Sequence, residues 1–232
     1  MGSLSVTGIG AELLDDPAAD AGAVTESLHN IARANRWFGG SAAVRFGLCR
    51  TLGHVARGTS LSLLDLGTGL GDLPHTAQRW GAARGIRIVP LGLELNRVAA
   101  RLARDAGLAV AVGCAGAPPV RDKSVDVILV SQLAHHLTHE SVVHLFRTCD
   151  RLARRAVIIA DLRRHALASA GFWLGSRLLR FDRVTMADGM TSLRRGFTQV
   201  ELSRLLARAG VSGRVDQRHG FRLVATWIPA SA

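Results

Sequence analysis

Two stretches of this chain have the residue types and spacing to do chemistry. Residues 63–74 read LLDLGTGLGDLP, with Gly67, Gly69 and Gly71 alternating just after Asp65. Glycines let a backbone turn sharply and approach a ligand closely, and a helix that follows offers free N–H groups. A dinucleotide loop would need GxGxxG, but counting from Gly67 the third glycine is replaced by Asp72, and the GK[ST] of a P-loop is missing. Glu94 stands at the end of the next apolar run, where a carboxylate can accept both hydroxyl hydrogens of a ribose. Residues 131–144, SQLAHHLTHESVVH, hold four of the nine histidines.

The histidines invite a metal reading, and their spacing argues against it. His139, Glu140 and His144 form HExxxH, and on a helix positions i and i+5 differ by about 140°, so those rings face apart. His136 and His139 are nearer to register, without a third ligand at suitable spacing. No metal is expected, and His139 and His144 read as helix-surface residues. His135 and His136 instead follow the apolar run VDVILVS, at the carboxyl edge where open α/β sheets bind ligands.

The elements that must position these groups can be read from periodicity. Residues 23–56 show helical spacing interrupted by Gly39 and Gly40, which predicts two helices and a tight turn. From residue 61 apolar runs (LSLLDLG, IRIVPLGLEL, LAVAVG, VDVILVS, RAVIIADL) alternate with helical segments, which predicts a parallel sheet covered on both faces. HALASAGFWLGSRLLRF reads as an amphipathic helix and DRVTMADGMTSLRRG as a loop. Thr198 and Glu201 form a capping box, and the chain ends in a predicted hairpin around His219 and Gly220. Residues 12–22, acidic and alanine-rich, read as a loosely ordered lead-in. The expected division is a helical cap or lid over 1–60, a core over 61–162, a pocket insertion over 163–197, and a closing helix and hairpin over 198–232.

Composition narrows the function classes. A hydrophobic share of 48% indicates an ordered globular protein, yet no apolar run reaches the roughly 18 residues of a membrane span. The start lacks the pattern of a secretory signal, and Met1-Gly2 is followed by Val6 where myristoylation wants Ser or Thr. Cys49, Cys114 and Cys149 make no CxxC pair and fit buried thiols in a reducing cytoplasm. The net charge of +11 is carried almost wholly by arginine, Lys123 being the only lysine. The arginines are dispersed and tyrosine is absent, so a nucleic-acid surface built on base stacking is disfavoured.

DLGTGLG, LGLEL, VGCAGAPPVRDKSVDVILVSQLAHHL and VIIADLRRH together resemble the class I S-adenosylmethionine-dependent methyltransferases, small-molecule branch, of the ubiquinone/menaquinone type. The resemblance covers about residues 61–162. It implies a Rossmann-like, doubly wound, mostly parallel seven-stranded α/β sheet with a C-terminal antiparallel hairpin and a helical cap. It implies S-adenosyl-L-methionine as cofactor, with Asp65 and the backbone of Gly67, Gly69 and Gly71 on its methionine part. Glu94 would bind the ribose and Leu95 the adenine, with Ser131 and Gln132 completing that side. Where the family often has GDA, this chain has Gly113-Cys114-Ala115, so an aspartate contact to the adenine is replaced at Cys114 and Ala115.

The same resemblance places the acceptor near His135 and His136. An imidazole suits removal of a phenol or alcohol proton, with His135 favoured as base, His136 as structural and Asp161 orienting it. Arg36, Trp37, Phe38, Phe172 and Trp173 are the expected substrate contacts, and Asn35 to Gly40 and Asp188-Gly189 suit a lid hinge or further substrate contacts. The expectation is methyl transfer to a hydrophobic phenolic, quinone-like or polyketide-type small molecule, on oxygen rather than carbon, by a monomer or homodimer. Arg177 and Arg180 on an apolar helix allow peripheral contact with a membrane. Alternatives are action on RNA or protein, or binding without catalysis on the same fold.

Overall fold

The structure is a computed structural model that describes residues 4–10, 12–16 and 18–229. The Met1-Gly2 pair lies outside the described residues. Helices α1 (Ala21–Trp37) and α2 (Gly40–Leu52) come first. The alternating unit follows as β1 (Ser60–Leu66), α3 (Asp72–Ala82), β2 (Arg87–Glu94), α4 (Arg97–Asp105), β3 (Ala109–Val112), β4 (Val125–Ser131), α5 (His139–Leu152) and β5 (Ala153–Leu162). Then come α6 (Ala166–Leu178), α7 (Arg183–Arg195), α8 (Gln199–Ala209), β6 (Arg214–Arg218) and β7 (Arg222–Trp227).

The strands form one seven-stranded sheet in the order β3-β2-β1-β4-β5-β7-β6. β1 to β5 are parallel, and β7 runs antiparallel to both β5 and β6. Side chains alternate across a strand, and both faces here are apolar, which is why the runs look continuously hydrophobic. Leu63, Val127 and Ala156 stand in register on one face and pack with Leu48 of α2 and Ala77 of α3. Leu64, Ile128 and Val157, one residue on, face α5 and α8 through Phe146 and Leu202. Burying each such large side chain contributes about 1.5–3 kcal/mol. The parallel strands therefore present their carboxyl ends along one edge, with helix N-termini beside them.

Some sequence expectations change. DRVTMADGMTSLRRG is not a loop but α7, N-capped by Asp182, which accepts from the Thr185 N–H. Its glycine and threonines hide the helical pattern. Gly189 lies within this helix and lines the cavity, and an added Cβ there would lie 2.2 Å from Cζ of Phe172, so the missing side chain lets α6 and α7 pack closely. The lead-in is also ordered. Leu13–Asp15 form a 3-10 turn, Glu12 is buried, and Val6 bridges Leu137. Long-range polar contacts hold this segment, and local periodicity carries no trace of them.

Candidate active site

A cavity of about 850 Å³ opens at the carboxyl edge of the parallel strands. Its first wall is the turn from β1 to α3. Gly67, Gly69 and Gly71 all take left-handed φ values of +76°, +53° and +78°, which favour glycine, and this accounts for the alternation. Glu94 holds the loop in place. Its Oε2 accepts from the Gly69 N–H at 2.9 Å and its Oε1 from the Asn96 N–H at 2.9 Å. Each oxygen keeps acceptor capacity toward the cavity it lines.

Asp65 is buried at the base of this turn. Its Oδ2 accepts from the Thr68 hydroxyl at 2.9 Å, while Oδ1 has no partner. Burial pushes the carboxyl up to about 8, opposed by the Thr68 hydrogen bond and reinforced by the like charges of Asp72 and Glu94. An orphaned buried acceptor among carboxylates fits a ligand's ammonium group. Leu95, Cys114, Ala115, Ser131 and Gln132 also line the cavity, and the Ser131 hydroxyl is a second orphan. Cys114 Sγ accepts from the Gly116 N–H at 3.4 Å.

The third orphan is Nε2 of His135. Nδ1 of this histidine lies 2.6 Å from Oδ1 of Asp161, and its backbone N–H donates to Oδ2 at 3.2 Å. Burial alone would raise the Asp161 carboxyl, but the charge and hydrogen bond of His135 and the Leu162 N–H outweigh it and hold the group below its usual range. An ionised carboxylate only accepts, so Nδ1 carries a proton toward Asp161 and Nε2 is the ring nitrogen left without a partner.

His136 stacks beside His135, with ring centroids 4.3 Å apart, and turns to the N-terminal segment. Its Nδ1 lies 2.9 Å from Asp15. The buried Arg195 of α7 donates to Glu12 at 3.0 Å, to Asp15 at 2.9 Å and to the carbonyls of Ile9 and Gly10 at 2.7 Å each. Glu12, His135 and His136 bring one potential ligand atom each to within 4.8 Å of one another, a trio invisible in the sequence because Glu12 is so distant. The Arg195 guanidinium lies 3.0 Å from Glu12 and 3.1 Å from His136, so a cation already sits against two members of the trio.

A polar chain crosses the opposite wall. Asp72 accepts from Asn35 at 3.0 Å, Asn35 accepts from Gln132, and Gln132 accepts from Arg222 at 2.7 Å. Gln132 takes a φ of +54°, left-handed and unusual for a non-glycine residue, and so aims its amide along this chain.

Of the expected substrate contacts, Trp37, Phe38 and Phe172 line the cavity. Phe38 and Phe172 meet edge to face at 5.6 Å. Arg36 and Trp173 do not line it: Arg36 lies over the Trp37 ring, and Trp173 points outward beneath Arg177. Helical register carries residues 36 and 173 away from the cavity. Sequence reasoning missed Glu12, Asp15, Arg195 and Arg222. Only Arg222 left a local signal, as the one charge in the apolar strand RLVATW.

Residues 64–160 match the family described as "Methyltransferase domain". Among curated proteins none matches the sequence. Among solved structures, a SAM-dependent methyltransferase from Aquifex aeolicus is 18% identical with a TM-score of 0.51, over 73% of this chain and 82% of that one. A putative S-adenosyl-L-methionine-dependent methyltransferase from Methanococcus maripaludis is 14% identical with a TM-score of 0.61, over 88% and 93%. Human N-acetylserotonin methyltransferase, solved in complex with SAM, is 12% identical with a TM-score of 0.60, over 92% of this chain and 57% of that one. At these identities the structural likeness speaks for the fold. The chain therefore carries a methyltransferase domain over residues 64–160, on a fold shared with S-adenosylmethionine-dependent methyltransferases. It is an enzyme whose cofactor is S-adenosylmethionine.

Proposed function

We propose that the protein methylates a hydroxyl oxygen of a hydrophobic small molecule, phenolic, quinone-like or polyketide-type, with His135 as general base. One observation carries this: His135 lines the cavity as a buried imidazole whose Nδ1 is tied to an ionised aspartate and whose Nε2 has no partner. When bound, S-adenosylmethionine supplies a methyl group on a sulfonium. Asp65, the glycine loop, Glu94, Leu95, Cys114, Ala115, Ser131 and Gln132 would hold it on the β1–β2–β4 side. Phe38 and Phe172 would seat the acceptor ring on the other side and exclude water, so that positioning supplies much of the rate. His135 Nε2 takes the hydroxyl proton, Asp161 balances the imidazolium, and His136 stays engaged with Asp15.

The apolar lining favours a small hydrophobic acceptor over RNA. A second feature suggests how such a molecule arrives. On α6, Leu167, Leu174 and Leu178 are 65%, 56% and 76% exposed, and Trp173 stands beside them under Arg177. Exposed Arg36, Arg180 and Arg183 lie nearby in the chain or on adjoining helices. Apolar side chains flanked by cations suit the surface of an anionic bilayer. No helix among the described residues is long and apolar enough to cross a membrane.

The test is methyl transfer from labelled S-adenosylmethionine to a panel of phenols, hydroxyquinones and enolic polyketides, with intact protein and His135→Gln. O-methylated product that depends on His135 supports the reading. Transfer to nitrogen or carbon only, or undiminished transfer by His135→Gln, sinks it.

A further inference from the structure

Arg222 has the burial of a core residue and the chemistry of a ligand contact. It is the first residue of β7, 4% exposed, and lines the cavity. Its Nε donates to the Phe38 carbonyl at 3.1 Å and its Nη1 to the Gln132 amide oxygen at 2.7 Å. Both acceptors are neutral. Among the described residues, no carboxylate lies within ion-pair distance of this guanidinium, and Nη2 makes no hydrogen bond.

A buried charge without a counter-charge is costly, and a role confined to bridging two neutral oxygens does not require one. The cost shows in the group itself: burial lowers the guanidinium to about 10, with Asp161 acting against that shift, so the side chain remains a cation at neutral pH. Asp161 is close enough to be felt and is already committed to His135. The two neutral acceptors fix the plane of the fork and leave Nη2 available.

Position tells which ligand meets it. Arg222 pairs with Leu162 across the β5–β7 ladder, one residue from Asp161, on the acceptor side of the sheet and away from the glycine loop. We propose that Arg222 forms an anion subsite for the acceptor, binding a carboxylate or enolate oxygen carried beside the hydroxyl that His135 deprotonates. The inference rests on the methyl-transfer reading for the word acceptor, and it narrows the substrates to acidic aromatic or enolic compounds. It also accounts for charge: proton transfer to His135 leaves two cations facing Asp161, and a ligand anion restores balance.

The experiment uses full-length protein, with and without saturating S-adenosylhomocysteine, titrated with 2-hydroxybenzoate and with its neutral isostere 2-hydroxybenzamide. A charge-assisted hydrogen bond contributes about 1.5–3 kcal/mol, which corresponds to about 10–100-fold in affinity. The benzoate is therefore expected to bind at least about tenfold more tightly than the amide. Arg222→Met should bring the two within about twofold, both with and without S-adenosylhomocysteine. Should Arg222→Met not fold, Arg222→Gln gives the same comparison with side-chain hydrogen bonding retained. No preference in the intact protein, or a preference that survives loss of the charge, overturns the subsite. The methylation reading fails separately: a carboxylate preference without transfer to any acceptor would leave the subsite and remove the reaction.

Discussion

Asp161 Oδ1 lies 2.6 Å from Nδ1 of His135, and both side chains are buried, at 0% and 2% exposure. The carboxylate sets the tautomer and the ring has one free nitrogen, so these two residues should fail in different ways. His135→Gln removes the proposed proton acceptor and should lower kcat by about 10²–10⁴-fold, with S-adenosylhomocysteine affinity unchanged. Asp161→Asn keeps a hydrogen bond but removes the charge that supports the imidazolium, and should lower kcat without raising cofactor Kd. Steady-state kinetics beside calorimetry checks both.

Asp65 gives a dependence on pH with a definite sign. Its carboxyl sits at about 8 in the free protein, so at pH 6 the free protein holds a proton there. A bound ammonium favours the ionised carboxylate, and binding must release that proton. Cofactor affinity should therefore rise as pH increases from 6 toward 8, by up to about tenfold per unit. Asp65→Asn should flatten the profile, as read from S-adenosylhomocysteine titrations at fixed ionic strength.

Glu94 serves the loop before it serves any ligand. Glu94→Ala leaves the Gly69 and Asn96 N–H groups without their acceptors. Losing hydrogen bonds to a charged group costs about 1.5–3 kcal/mol each, so cofactor binding should weaken by about 10–100-fold or more. Glu94→Gln retains one acceptor oxygen and should lose less.

The N-terminal segment should come loose when Arg195 is removed. Arg195→Met leaves Glu12 and Asp15 facing each other beside the cavity without their shared cation. Breaking a buried ion pair from one side costs about 3–5 kcal/mol. Denaturant unfolding should show that loss, and Glu12→Gln with Asp15→Asn in the same chain should recover part of it.

The exposed stripe of α6 predicts a surface property. Intact protein should sediment with phosphatidylglycerol-containing vesicles at low salt and much less with pure phosphatidylcholine. Leu174→Glu with Leu178→Glu should abolish sedimentation while leaving unfolding unchanged, because both side chains are already in solvent. A concentration-dependent dimer in sedimentation velocity, lost in the same variant, would assign the stripe to a second copy of the chain instead.

Much of this protein was legible in one dimension because its signals are local. The apolar runs read as strands, and the alternation of glycines after Asp65 marks a turn whose φ values other residues rarely adopt. Glu94 and Asp161 stand where their strands end, so a parallel sheet brings them to one edge however the rest of the chain is arranged. The β7–β6 hairpin and the two N-terminal helices followed from turn residues between periodic segments.

What only the tertiary structure decided are the contacts between residues far apart in the chain. Glu12 meets Arg195 across 183 positions, and Arg222 meets Gln132 across 90. Neither pair repeats with any helical or strand period, and each depends on how whole elements stack. The exchange of Arg36 and Trp173 for Arg222 as a cavity residue has the same cause. Side-chain direction follows from the register of a helix or strand against its neighbours, which packing fixes and local sequence does not.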